Sequence, residues 1–365
     1  MSVSVSNSEF LVENTLSTAK ITGVHDSLLQ ESEKDILWFR DNFICQEHQT
    51  YLCTDSPRGP MAVSLVLDKD TYKILVRTDQ GSERLSIASR NIRIPWYKKV
   101  LGLLPSLADI MSSIDENFPC QTLRLCKENS IAKDLLAMEE RQVKNLLLHD
   151  MVIRSYKFGL VYVGSNQSTE EEMFQNRLEN TSAKFQEFLT FIGEKIELKG
   201  WKGYRAGLDV NDNQTGQHSI YTKWQGYEIM FHVAPLLPYS ATDKQQLEKK
   251  RHIGNDIVVI LFQDSDTPFR ISTITSKQNH VICVIKPQGE GYKMTIVHKN
   301  GVPAYTPELP DPTYFERNAV SRDFLLHKLV NGERACYKAP SFAPKISRTR
   351  SVLIKDVVEK GLASQ

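Results

Sequence analysis

The chain has 365 residues, 41% of them hydrophobic, and 45 Lys and Arg stand against 44 Asp and Glu, a formal charge of +1. That is enough for one large domain or two ordinary ones with real cores, and it excludes a mainly disordered chain. A near-neutral balance argues against bulk nucleic-acid binding, and no apolar run approaches the ~20 residues of a membrane helix. The N-terminus shows no charged segment followed by an apolar one, so no signal peptide is expected. The six cysteines (Cys45, Cys53, Cys120, Cys126, Cys283, Cys336) form no C-x-x-C pair. They read as free thiols of a reducing compartment, which points to the cytoplasm.

Residues 1–30 are rich in Ser and Thr with weak periodicity and read as a loose arm. Residues 31–150 read as a small sheet carrying helices. Met61–Leu67 and Tyr72–Arg77 read as strands about a Lys69-Asp70 turn, and Arg84–Ile94 reads as a further strand. Lys99–Ile114 has helical spacing interrupted by Pro105, and Ile131–Leu147 is a further helix. A second α/β unit, residues 151–362, opens with a strand over Met151–Val163. Ser182–Gly193 is an amphipathic helix, with Phe185, Phe188, Leu189 and Ile192 on one face. Gly200–Asp209 is too glycine-rich for a helix and reads as a surface loop. His218–Trp224 and Tyr227–Val233 form a hairpin through Gln225-Gly226. Ser240, with Asp243 three residues on, opens a helix that runs toward Gly254. The unbroken apolar run of Asp256–Phe262 suits a central strand covered on both faces. Val281–Ile285 and Tyr292–Val297 are strands; Phe324–Val330 and Val352–Val358 are closing helices. The fold class is α/β, or α+β taken over the whole chain.

No P-loop, GxSxG elbow or HExxH occurs, so the chain offers no phosphate loop, serine nucleophile or zinc motif of its own. The informative stretch is Lys249-Lys250-Arg251-His252-Ile253-Gly254-Asn255-Asp256. By physics alone it reads as a cationic helix end, a glycine cap, a turn amide and a carboxylate before a buried strand. Such junctions also carry functional groups in α/β proteins.

Lys250-Arg251-His252-Ile253-Gly254-Asn255-Asp256-Ile257-Val258 resembles the signature of the Rap GTPase-activating protein family, which includes tuberin-like members. Gly203-Tyr204-Arg205-Ala206-Gly207-Leu208-Asp209 is similar to the family's G-[FY]-R-G-G-L-D, with Ala206 replacing a glycine. Phe158-Gly159, Glu170 to Phe174, Gln214-Thr215-Gly216, Glu228 to Val233, Phe324-Leu325-Leu326 and Arg348-Thr349-Arg350 extend the likeness in one order over roughly residues 150–360.

The resemblance implies a G-domain-like α/β catalytic domain that stimulates GTP hydrolysis on a partner small GTPase. The catalytic residue would be Asn255, an asparagine thumb inserted into the partner's nucleotide site. A carboxamide offers both an acceptor for water and donors. His252, Arg251, Gly254, His232 and Glu172 would support the catalytic helix, although Arg251 also reads as a helix-end ion pair. Lys250, Lys157, Arg348 and Arg350 would face the GTPase, the last two reading equally as a solvated charged face. The chain would need no cofactor or metal of its own, since GTP and Mg²⁺ belong to the partner. The partner would be a GTP-bound Rap-type GTPase, met where that GTPase is anchored on membranes. Residues 31–150 resemble the family's dimerisation domain in outline, which implies a homodimer. The alternatives are activation of Rheb- or Ral-type GTPases, or a non-catalytic GTPase-binding adaptor.

Overall fold

The computed structural model describes residues 3–4, 9–23, 38–44, 46–127, 130–144, 155–266 and 269–363. The chain folds as two compact units. The smaller spans Gln30–Ile153 with Ala343–Gln365, and the larger spans Met1–Leu29 with Arg154–Phe342. Strand β1 (Phe10–Val12) belongs to the larger unit.

The smaller unit is a five-stranded antiparallel sheet. Strands β2 (Gln49–Ser56), β3 (Gly59–Asp68), β4 (Thr71–Arg77) and β5 (Ser82–Ala88) form a meander, and β6 (Arg124–Cys126) joins β2. Period-two alternation feeds two cores. Met61, Val63 and Leu65 of β3 pack toward α2 (Leu107–Ser112), which follows the short α1 (Trp96–Val100). Ala62 and Val66 point the other way, into a cluster with Phe39, Phe43, Ile131 and Leu135 of α3 (Ser130–Lys144). Pro105 does separate two helices, and a Ser106–Asp109 capping box starts the second.

The C-terminal helix, Ala343–Ala363, completes this smaller unit, placing Ile354, Val357 and Val358 in the same cluster. Its sequence position had placed it in the 151–362 domain. Its apolar stripe finds its cover beside α3 instead. The 145–154 part of the expected helix and strand lies outside the described residues.

The larger unit is built on a nine-stranded mixed sheet. Its core strands are parallel: β7 (Ser155–Val163) lies between β10 (Tyr227–Val233) and β11 (Val258–Gln263), and β12 (Val281–Gln288) follows β11. Antiparallel strands close both sides. β8 (Glu194–Glu197) and β9 (His218–Trp224) extend the β10 side; β13 (Gly291–Lys299) with β14 (Tyr314–Glu316) extends the β12 side. All six residues of β11 are buried, as expected of a strand covered on both faces. Helix α4 (Glu170–Phe174) follows β7, α5 (Ala183–Ile192) precedes β8, and α6 (Leu247–Ile253) connects β10 to β11. Helix α7 (Ala319–Cys336) closes the unit.

Two expectations change here. Residues 9–16 are no loose arm: β1 pairs antiparallel with β13, and Thr15–Leu16 pairs with Leu309–Pro310. The Glu13 carboxylate meets the buried Lys328 ammonium, which also donates to the carbonyls of Tyr305 (3.1 Å) and Pro307 (2.8 Å). The helix expected from Ser240 begins only at Leu247. Asp243, not Ser240, supplies its cap: its carboxylate accepts the N–H of Leu247 at 2.7 Å.

Candidate functional site

The sequence Gly254-Asn255-Asp256 turns the chain from α6 into β11. Each backbone carbonyl of this turn is held by a side chain from elsewhere. Ser276 Oγ donates to the Gly254 carbonyl (2.6 Å), Lys157 Nζ to that of Asn255 (3.0 Å) and Asn279 Nδ2 to that of Asp256 (2.6 Å). Asn279 Nδ2 also reaches the last helical carbonyl, of Ile253, at 3.0 Å. Gly254 is needed for close approach, since a Cβ there would sit 2.5 Å from the Lys250 carbonyl oxygen. Its φ of −68° is ordinary helical backbone.

The Asp256 carboxylate, wholly buried, anchors the turn. It accepts from Lys157 Nζ at 2.9 Å and from His232 Nδ1 at 2.8 Å. On its other side, His232 Nε2 lies 3.0 Å from the Ala206 carbonyl oxygen, so one ring bridges the two segments. Gly159 of β7 leaves room for this carboxylate: a Cβ there would lie 3.2 Å from Asp256 Oδ2 and 3.3 Å from Ile253. Asn255 itself is exposed, and its Nδ2 donates back to the Arg251 carbonyl at 2.7 Å. The outcome is an outward carboxamide on a backbone clamped by three side chains.

The other site residues of the sequence reading find varied places. His252 is buried, with its ring 5.2 Å from that of His232, edge to face. Burial pushes its pKa down to about 4, and Nε2 has no hydrogen-bond partner. It supports the helix end by packing, as a neutral ring. Arg251 is exposed and pairs with Glu248 one turn back at 2.8 Å. Glu172 does not reach α6. Its carboxylate caps α4, accepting the N–H of Ser168 (2.6 Å) and Thr169 (3.0 Å), and these bonds hold it below the usual carboxylate range. The contact from α4 to α6 is made by a neighbour: Glu170 pairs with Lys250 at 2.8 Å and accepts from Thr275 at 2.9 Å.

The expected docking cations are mostly spent inside the fold. Lys157 serves the turn and Lys250 serves Glu170. Arg350 lies in the smaller unit, buried, donating to the carbonyls of Thr78 (2.6 Å) and Gly81 (2.7 Å) and to Ser82 Oγ (2.8 Å). It is a clasp on the β4–β5 turn, not a surface contact. Arg348 stays exposed on the same helix. Lys249 is fully buried over Tyr239 and donates to the Asn176 carbonyl at 2.8 Å; burial lowers its pKa to about 8. The basic helix end is therefore largely internal, with Arg251 as its outward charge.

An open groove of about 450 Å³ borders α6, lined by Arg205, Leu208, Asp209, Gln214, Glu248 and Arg251 among others. Its wall is the Gly203–Gly216 loop. Asp209 organises this loop by accepting the N–H groups of Asn211, Asp212 and Gln214, which hold its carboxyl below the usual range. Ala206 sits at φ +53°, a left-handed conformation that a glycine takes at less cost. Arg205 is exposed and, among the described residues, makes no ion pair. Sequence reasoning missed Ser276, Asn279 and Glu170 as supports and Arg205 as a groove residue; Glu170 and Arg205 stood inside recognised stretches, whereas Ser276 and Asn279 did not.

The Rap/ran-GAP family model matches residues 173–351. These residues carry a Rap/ran-GAP domain. The chain is 38% identical over 322 residues to a PH and Rap-GAP domain-containing protein of Dictyostelium discoideum, covering 86% of this chain and 27% of that protein. It is 36% identical over 351 residues to GTPase-activating Rap/Ran-GAP domain-like protein 3 of Homo sapiens, covering 93% of this chain and 32% of that protein. Human signal-induced proliferation-associated 1-like protein 3 is 35% identical over 339 residues, covering 88% of this chain and 18% of that protein. The chain thus spans about a third or less of the length of these relatives. Among solved structures, one titled as the TSC2 GAP domain is 27% identical, with a TM-score of 0.41, covering 55% of this chain and 96% of that one.

Proposed function

We propose that the chain is a GTPase-activating protein that stimulates GTP hydrolysis on a Rap-type small GTPase by inserting Asn255 into the partner's nucleotide site. The observation that carries this reading is the contrast at Asn255: an exposed carboxamide on a turn whose three carbonyls are each held by a side chain. GTP hydrolysis asks the protein for a positioned water and for stabilised phosphoryl charge, with little covalent chemistry. A carboxamide fixed in advance meets that need, because its ordering cost is met on folding and not in the encounter. With Nδ2 held by the Arg251 carbonyl, the Oδ1 of this exposed side chain would serve as the acceptor for the attacking water.

Arg205 and Arg251, beside the thumb, would meet acidic side chains of the GTPase, where complementary charge raises the association rate more than the affinity. His232 ties that groove wall to the thumb, since one ring holds both Ala206 and Asp256. GTP and Mg²⁺ are the partner's, and hydrolysis switches the partner off. Single-turnover GTP hydrolysis over a panel of Rap, Rheb and Ral proteins tests the reading. Saturable acceleration, greatest on Rap, is expected; binding to the GTP-bound forms without acceleration would make the chain an adaptor.

A further inference from the structure

The smaller unit carries an exposed apolar surface. Trp96, Val100 and Leu104 each keep 76–78% of their surface exposed, and Tyr97, Leu101 and Leu103 keep 47–67%. Six large apolar side chains thus stand out from nine consecutive residues. Scattered exposed apolar residues need no explanation, whereas a contiguous group marks a contact surface.

The segment is built, not slack. Helix α1 carries Trp96 and Val100 on one face, and the N–H groups of Leu101, Gly102 and Leu103 return to the carbonyls of Tyr97, Lys99 and Lys98. At its base Lys98 pairs with the Asp109 carboxylate and donates to Ser106 Oγ at 3.2 Å, tying the segment to α2. At its tip Gly102 has open space where a side chain would be. The apolar groups are therefore displayed on a fixed, projecting turn.

Charge selects the occupant. Residues 89–108 contain Arg90, Arg93, Lys98 and Lys99 and no acidic residue, in a chain whose total charge is only +1. Lys98 is spent on Asp109, and Arg93 meets Glu116 in an exposed pair. Arg90 and Lys99 are exposed with no acidic partner among the described residues. We propose that residues 96–104 dock into the headgroup region of an anionic lipid leaflet. Trp96 and Tyr97 suit the polar–apolar boundary, the valine and leucines enter the acyl edge, and Arg90 and Lys99 meet lipid phosphates and carboxylates. No helix among the described residues is long and apolar enough to cross a membrane, so the association is peripheral.

A second copy of the chain, the occupant that the dimer expectation suggests, fits less well. A two-fold contact brings each patch against itself, setting Arg90 and Lys99 against like charges. Six side chains also fall short of the about 20–30 residues a side of a stable protein interface.

Flotation of the full chain with phosphatidylcholine vesicles, with and without phosphatidylserine, tests the proposal. Binding is expected with phosphatidylserine and should weaken as salt is raised. A Leu101→Asp/Leu104→Asp variant should lose about tenfold or more in apparent affinity while keeping its circular dichroism and its melting temperature, since these side chains are largely solvent-exposed. No binding to phosphatidylserine vesicles, or equal binding by the variant, would overturn it. So would analytical ultracentrifugation showing a wild-type dimer that the variant makes monomeric, because the tip would then be covered by a second copy.

Discussion

Asp256 does more for the site than any residue near it, although it faces inward. One buried carboxylate holds Lys157 and His232, which in turn hold the Asn255 carbonyl and the Ala206 loop. Removing it leaves the Lys157 ammonium without its counter-charge and the buried His232 ring without a hydrogen-bond partner, which is costlier than the pair is worth. Asp256→Ala should lose about 3–5 kcal/mol of stability, measured by urea unfolding. A loss under about 1 kcal/mol would show that the cluster relaxes or admits water. At this scale the sequence was informative where chemistry is contiguous: Asn255, His252 and Gly254 stand within one readable motif. It was silent on Ser276 and Asn279, which reach the turn from a downstream loop with no pattern of their own. It misplaced Arg350, because the carbonyl this arginine holds is 272 positions away.

Among the elements, α6 is short, and its basic face is mostly buried or paired. A run of four basic letters reads as a solvated end, but its outcome depends on what packs beside it, here Glu170, Tyr239 and His232. Helix α7 holds the titratable group of most consequence. Glu333 is buried with Oε2 unpartnered, while Oε1 accepts from Tyr337 at 2.6 Å. Burial raises its pKa from 4.5 to about 7, with the Tyr337 bond and the Lys157 charge opposing. Between those values the unfolded chain is ionised and the folded chain holds the proton. Its contribution to stability is therefore complete below about pH 4.5 and is lost as pH rises through 7. Glu333→Gln keeps the acceptor for Tyr337 and removes the titration. The variant should gain stability relative to wild type between pH 5 and pH 8; urea unfolding at the two pH values measures it. A constant difference would mean that Glu333 does not titrate there.

For the whole molecule, the strand-and-helix order was legible because most elements carry clean periodicity, from the β3–β4 hairpin to the continuous core of β11. The assignment of segments to units was not. The C-terminal helix and residues 9–16 find their cover far along the chain, in α3 and β13, and local pattern carries no such information. Arg350→Ala separates the two accounts of that helix. As a buried clasp it should destabilise the smaller unit by about 2–4 kcal/mol, seen in its own unfolding transition, and leave the maximal rate on a GTPase within a few fold. A stable variant with weakened GTPase binding would return Arg350 to the docking surface. The central claim concerns Asn255 and is tested most directly by single-turnover GTP hydrolysis on saturating Rap, with wild type and Asn255→Ala side by side. The account predicts a loss of about 10²-fold or more in the maximal rate, with GTPase binding and melting temperature retained. An Asn255→Ala protein that accelerates hydrolysis as well as wild type would contradict it.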